Sequence, residues 1–198
     1  MEICMRRRQR GLQFYRKKKG LSMQAVKEVF SWIVLSVLAV FLAFMVIWAV
    51  GLRTNMIGVS MEPGLTNGQG ILLNRLKYRF FSPQTGDVVV FLPNGNQNAH
   101  YYVKRVVAVP GQTVLIQDGI LYIDGKAQEN EEMDLIASAG IAENEIKLGK
   151  DEYFVLGDNC NNSEDSRSAN VGPVLRSTIV GEAWFHFGNG TDGWGLIH

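Results

Sequence analysis

Ser60 and Lys104 are the two side chains whose types and settings point to covalent chemistry. Ser60 stands in the turn-forming stretch Gly58-Val59-Ser60-Met61-Glu62-Pro63-Gly64. A serine hydroxyl becomes a nucleophile only when a base takes its proton. Glycine nearby lets backbone amides approach an oxyanion, and Pro63 stiffens the exit from the turn. A serine near glycine and proline is also what an ordinary turn contains, and Glu62 rules out a G-x-S-x-G elbow. Lys104 is the more unusual residue, because it interrupts the apolar run Tyr101-Tyr102-Val103-Lys104-Arg105-Val106-Val107. On a strand, Tyr102, Lys104 and Val106 share one face. A lysine there either snorkels to water or loses its proton, since desolvation disfavours the ammonium and lowers its pKa toward neutrality.

Rival chemistry is weaker. His100 shares strand parity with Lys104, but four residues of strand separate the two by roughly 13 Å, too far to serve one serine. His186 and His198 have no acidic neighbours in sequence, so a Ser-His-Asp triad is not expected. Three scattered histidines and two cysteines, Cys4 and Cys160, do not make a zinc site. Cys160 lacks a neighbouring histidine that would activate it. The polar cluster Gly157-Asp158-Asn159-Cys160-Asn161-Asn162-Ser163-Glu164-Asp165-Ser166-Arg167 follows the strand-like Tyr153-Phe154-Val155-Leu156. Its spacing is not that of an EF-hand calcium loop. It reads either as a solvated Asx-rich turn or as a loop that packs behind the lysine and orients it.

Elements must hold these residues, and the chain supplies two kinds. Val29 to Val50 is a run of 22 residues without a charge, ending ten residues before Ser60. As a helix it spans roughly 33 Å, enough for a bilayer core of about 30 Å. Residues 1–28 carry nine basic and two acidic side chains, a net +7, whereas the remainder is net −6. The positive-inside rule then expects a cytoplasmic tail over 1–28, a transmembrane helix over 29–50, and an exported domain over 51–198. A cleavable signal peptide fits less well, because the run exceeds a normal apolar core and no small-x-small site follows. On this topology Cys4 and Cys160 lie on opposite sides and cannot pair.

The rest of the chain reads as antiparallel β. Strands are expected at Ile71–Leu73, Val88–Phe91, Tyr101–Val109, Thr113–Ile116, Ile120–Ile123, Tyr153–Leu156 and Thr178–Phe187. Asp118-Gly119 is a hairpin turn, and Asp124-Gly125 closes the next strand. Residues 126–150 are acidic and poor in β-formers, so about 118–150 reads as a hairpin and surface excursion within one β domain.

Four stretches, in this order, resemble the bacterial type I signal peptidases: Ser60-Met61-Glu62-Pro63; Thr85-Gly86-Asp87-Val88-Val89-Val90-Phe91; Tyr102 to Gly111 around Lys104; and Gly157 to Arg167 ending Asp-Ser-Arg. The resemblance runs from the apolar helix through Trp184. It implies a mainly β fold, one transmembrane helix followed by an exported antiparallel domain of the kind shared with self-cleaving repressors. It further implies that Ser60 is the nucleophile and Lys104 the general base, with Ser163 hydrogen-bonding the lysine amine. Asp165 and Arg167 are implied as a supporting ion pair, and Asp158 and Arg105 as buttresses. Gly58 stands where some members carry an oxyanion-hole serine and others glycine. Cys160 and Asn161 replace a commoner Arg-Asp pair. Met61, Tyr102 and Val103 are implied as substrate-binding residues that select small side chains at alternate positions.

The resemblance thus implies a serine endopeptidase that removes signal peptides from exported preproteins, needing neither metal nor organic cofactor. Its partners are the signal peptides, the lipid bilayer and a nearby secretion translocon, with no nucleic acid. Its place is the cell membrane, single-pass, with the catalytic domain on the outer face. A catalytically silent relative acting as an assembly chaperone in pilus biogenesis is the alternative, but both dyad residues are present. A repressor relative would need a helix-turn-helix, which is not seen.

Overall fold

The computed structural model describes residues 22–50, 52–96, 99–128, 135–188 and 193–197. Most of the basic tail, with Cys4, and His198 lie outside them. The chain divides into two compact units, Met1–Ala43 and Phe44–His198. Helix α1 runs Met23–Val50, so it begins six residues before the apolar run, supplies nearly all the described residues of the first unit and has its last seven residues in the second. It is the one described helix long and apolar enough to cross a membrane. Its apolar side chains are exposed throughout, from Phe30 at 66% and Trp32 at 71% to Ile47 at 67%.

The second unit is built from antiparallel strands: β1 (Leu52–Asn55), β2 (Gly70–Asn74), β3 (Val88–Phe91), β4 (Tyr102–Ala108), β5 (Thr113–Gln117), β6 (Ile120–Ile123), β7 (Lys126–Ala127), β8 (Ile146–Lys147), β9 (Glu152–Leu156), β10 (Val174–Leu175), β11 (Ile179–His186) and β12 (Gly195–Leu196). A single helical turn, α2, covers Lys77–Phe80. Eight strands form one sheet in the order β1-β2-β11-β3-β4-β9-β10, with β12 also on β11. The other four form a second sheet, β7-β6-β5-β8. All pairings are antiparallel.

The seven expected strands are all present, with ends shifted by no more than two residues. Val88–Phe91 is buried at every position, because β3 has neighbours on both edges and core on both faces. The β5–β6 turn places both Asp118 and Gly119 at positive φ, 53° and 78°, and the next turn does the same at Asp124 and Gly125. That is the backbone twist a two-residue hairpin favours, and only short polar residues and glycine adopt it cheaply.

Residues 126–150 do more than skirt the surface. Ile136, Ala142 and Leu148 are buried with Val114, Ile116, Leu121, Phe154 and Leu156, so this segment closes a core between the small sheet and β9. A second cluster of Met56, Met61, Leu65, Ile71, Leu73, Val88, Val90 and Val103 lies beneath the Ser60 turn. Lys77 fastens α2 to the large sheet, its Nζ lying 2.9 Å from Asp87 and 2.7 Å from Glu182.

Candidate active site

Strand β4 places Lys104 in the interior of the large sheet, opposite Val89 of β3. The strand is buried at Val103, Lys104, Val106 and Ala108, so the lysine has no route for snorkelling and is 4% exposed. Ser60 arrives from the loop between β1 and β2 and is 8% exposed. The turn is tied by the Glu62 N–H donating to the Val59 carbonyl and the Leu65 N–H to that of Met61. Gly58, at φ +88°, donates its N–H to Asn67 Oδ1 at 2.9 Å. The result is a Lys104 Nζ to Ser60 Oγ hydrogen bond of 2.7 Å. Burial pulls the lysine pKa from its ordinary 10.5 down to about 8, against the opposing pull of Asp165 and Glu164.

The 157–167 loop holds this pair from behind. The Asn159 N–H donates to the Ser60 carbonyl at 3.1 Å. Arg167 grips Asp165 with Nε at 2.8 Å from Oδ1 and Nη2 at 2.9 Å from Oδ2, a bidentate pair with the carboxylate fully buried. The same arginine donates to the Cys160 and Ser138 carbonyls, stitching the loop to the 135–142 segment. Arg105 makes a second bidentate pair with Asp158, both contacts 2.8 Å, and reaches the Gly86 carbonyl. Ser166 is joined to Val155 in both directions, its Oγ accepting from the Val155 N–H and its N–H donating to the Val155 carbonyl.

Ser163 differs from expectation. Its hydroxyl is buried but has no hydrogen-bond partner, so the expected bond to the lysine amine is not formed. The oxygen packs instead against the backbone at Gly157, while Lys104 donates to Ser60. Met61 also departs from its expected role: it is fully buried in the core and does not line the groove beside the dyad. Tyr102 and Val103 do line it, as does Gly58. This groove has a volume of about 280 Å³, with Ile57 and Val59 exposed along it. His100 lies at the same groove, but the hydrogen bond to Ser60 Oγ comes from Lys104. A larger cavity of about 580 Å³, between residues 82–85 and Arg176, contains none of the candidate residues.

Gly157, the first residue of the fourth family stretch, is a site residue to which the motif assigned no role. A Cβ at this position would overlap the Ser60 carbonyl oxygen and the Ser163 hydroxyl together. Its sign in the sequence is its place at the head of that stretch, directly after an apolar strand. Gly157→Ala is therefore expected to push the Ser60 turn away from β9, costing about 1–3 kcal/mol of stability and most of the activity. Thermal unfolding and peptide turnover check this; wild-type values for both would show that the close approach is dispensable.

A family model described as signal peptidase, peptidase S26, matches residues 29–187. Among curated relatives, "Probable signal peptidase I-1" of Synechocystis sp. is 34% identical over 134 residues, covering 65% of this chain and 66% of that protein. Signal peptidase IB of Staphylococcus aureus is 32% identical over 183 residues, covering 81% and 90%. A crystal structure of a signal peptidase I from Enterococcus faecalis V583 aligns with 26% identity and a TM-score of 0.43, over 52% of this chain and 97% of that one. The chain belongs to the signal peptidase family, peptidase S26. Membership makes it a serine endopeptidase of the signal peptidase I type.

Proposed function

We propose that the protein is a membrane-anchored endopeptidase that removes signal peptides from preproteins by a Ser60–Lys104 dyad. The observation that carries this reading is the 2.7 Å contact between a nearly inaccessible lysine amine and the serine hydroxyl. The neutral amine takes the Ser60 proton as Oγ attacks the carbonyl carbon of the scissile bond. The tetrahedral oxyanion then faces the Ser60 backbone N–H, a donor fixed in place before the charge develops. Lys104, now protonated, gives its proton to the departing amine. A water activated by the same amine completes hydrolysis of the acyl-enzyme and regenerates Ser60. Tyr102 and Val103 wall the groove, which suits small side chains at alternate positions of an extended peptide. Asp165–Arg167 and Asp158–Arg105 hold the loop that pins the Ser60 carbonyl. The direct test incubates the detergent-solubilised full chain with a panel of preproteins and sequences the new N-termini. Cleavage after small-x-small sites is expected, and intact preproteins throughout would overturn the reading.

The lysine pKa sets the pH dependence. The reactive form is the free amine, so kcat/KM should climb as pH approaches about 8 and level off above it. The same shift acts on stability with a defined sign. The unfolded chain holds this proton up to about 10.5 and the folded chain only to about 8, so the cost of burying the lysine is present below pH 8 and relieved between those values. A rate profile flat from pH 6 to 10 would exclude Lys104 as the base.

Helix α1 serves in this reading as the anchor, with the basic tail cytoplasmic and residues 51–198 on the outer face. Protease added to intact spheroplasts should digest residues 51–198 and spare the tail. Protection of the β domain would reverse the orientation.

A further inference from the structure

The groove carries a charge that the proposed chemistry leaves unused. Asp165 commits its carboxylate to Arg167, but its neighbour Glu164 turns the other way and lines the groove. Glu164 Oε2 accepts a 2.8 Å hydrogen bond from the Tyr102 hydroxyl, and the second oxygen lies 3.5 Å from Asn170 Nδ2. Both partners are neutral, so they fix the carboxylate in place without cancelling its charge. Among the described residues Glu164 has no salt bridge to a lysine, arginine or histidine. It is also the one carboxylate among the groove-lining residues.

The nearby cations do not offset it. Lys104 must be neutral to act as a base, and Arg167 is buried in its bidentate pair. In its working form the groove is therefore negative on the Tyr102 side and apolar at Ile57 and Val59. An extended peptide passing Ser60 has to lie between these walls, so one of its side chains meets a fixed carboxylate.

We infer that Glu164 is a specificity-determining residue whose carboxylate reads the charge of the substrate side chain lying against the Tyr102 wall, favouring lysine or arginine there and rejecting aspartate or glutamate. The inference rests on the Ser60–Lys104 reading. A partly solvated carboxylate attracts one substrate and repels the other, so the two differ in kcat/KM by about three- to tenfold.

The test uses the full chain in non-ionic detergent and a set of otherwise identical peptides with one small-x-small site. Lysine, glutamine or glutamate is placed at one position at a time on both sides of the scissile bond. At one position the wild-type protein should prefer lysine to glutamate by about three- to tenfold, with the ratio shrinking as salt is raised. Glu164→Gln should bring that ratio close to one, and Glu164→Lys should invert it. A wild-type ratio near one at every position, or a preference unchanged in Glu164→Gln, overturns the inference. Failure of the wild-type protein to cleave any of the peptides would instead count against the dyad reading beneath it. The salt dependence is read on the wild-type protein alone and stands whether or not the variants fold.

Discussion

Lys104→Met and Ser60→Ala are each expected to lower kcat/KM by at least about a thousandfold, because in the proposed dyad nucleophile and base act as one unit. The double variant should be hardly worse than the poorer single one. Methionine suits the lysine site: it is unbranched, of similar length, and removes a buried amine from a strand that is 4% exposed there. The melting temperature of Lys104→Met should therefore hold or rise, which separates loss of chemistry from loss of fold. Lys104→Arg should be equally inactive, since a guanidinium stays protonated at every accessible pH. Turnover near the wild-type level in Lys104→Met would remove the lysine from the reaction.

Asp165→Ala is the substitution expected to cost most in stability. Its carboxylate is fully buried, accepts two bonds from the Arg167 side chain, and also receives the N–H groups of Gly157 and Arg167. Removing it strands a guanidinium in the interior, which costs about 3–5 kcal/mol. For a domain of this size that lowers the melting temperature by roughly 6–20 °C. Activity should fall with it, because Gly157 and the Asn159 N–H that holds Ser60 belong to the same loop. Replacing Asp165 and Arg167 together by leucine should recover part of the loss, since no uncompensated charge remains. A melting temperature unmoved in Asp165→Ala would show that the pair contributes nothing to the fold.

Local chemistry made much of this molecule readable from its residues. Val88–Phe91 and Ile120–Ile123 are legible to the residue because unbroken β-branched, aliphatic and aromatic runs lie among glycine, proline and aspartate. Lys104 stood out because a lysine inside such a run has a desolvation cost wherever the strand lies. Long-range pairings left no such mark. Three of the four residues of Leu52–Asn55 are polar, because β1 is an edge strand with one neighbour, so its apolar pattern is short and weak. The small sheet depends on two-residue strands, β7 and β8, and on Ile136 and Leu148, whose burial comes from packing against other elements and not from a local apolar run. Ser163 shows the limit of motif reading: residue identity places a hydroxyl near the site, but not the direction in which its bond is made.

The position of β11 bears on how the enzyme comes into being. Ile179–His186 inserts between β2 and β3, pairing with both, and so joins the part of the sheet that carries the Ser60 turn to the part that carries Lys104. Those parts are contiguous in sequence from residue 52 to 108, yet the strand that aligns them is made more than 70 residues later. On the ribosome, serine and lysine both emerge before β11, so the sheet that aligns them closes only once β11 has left the exit tunnel. The 2.7 Å contact is thus a late event in biosynthesis, tied to closure of the most non-local pairings in the chain.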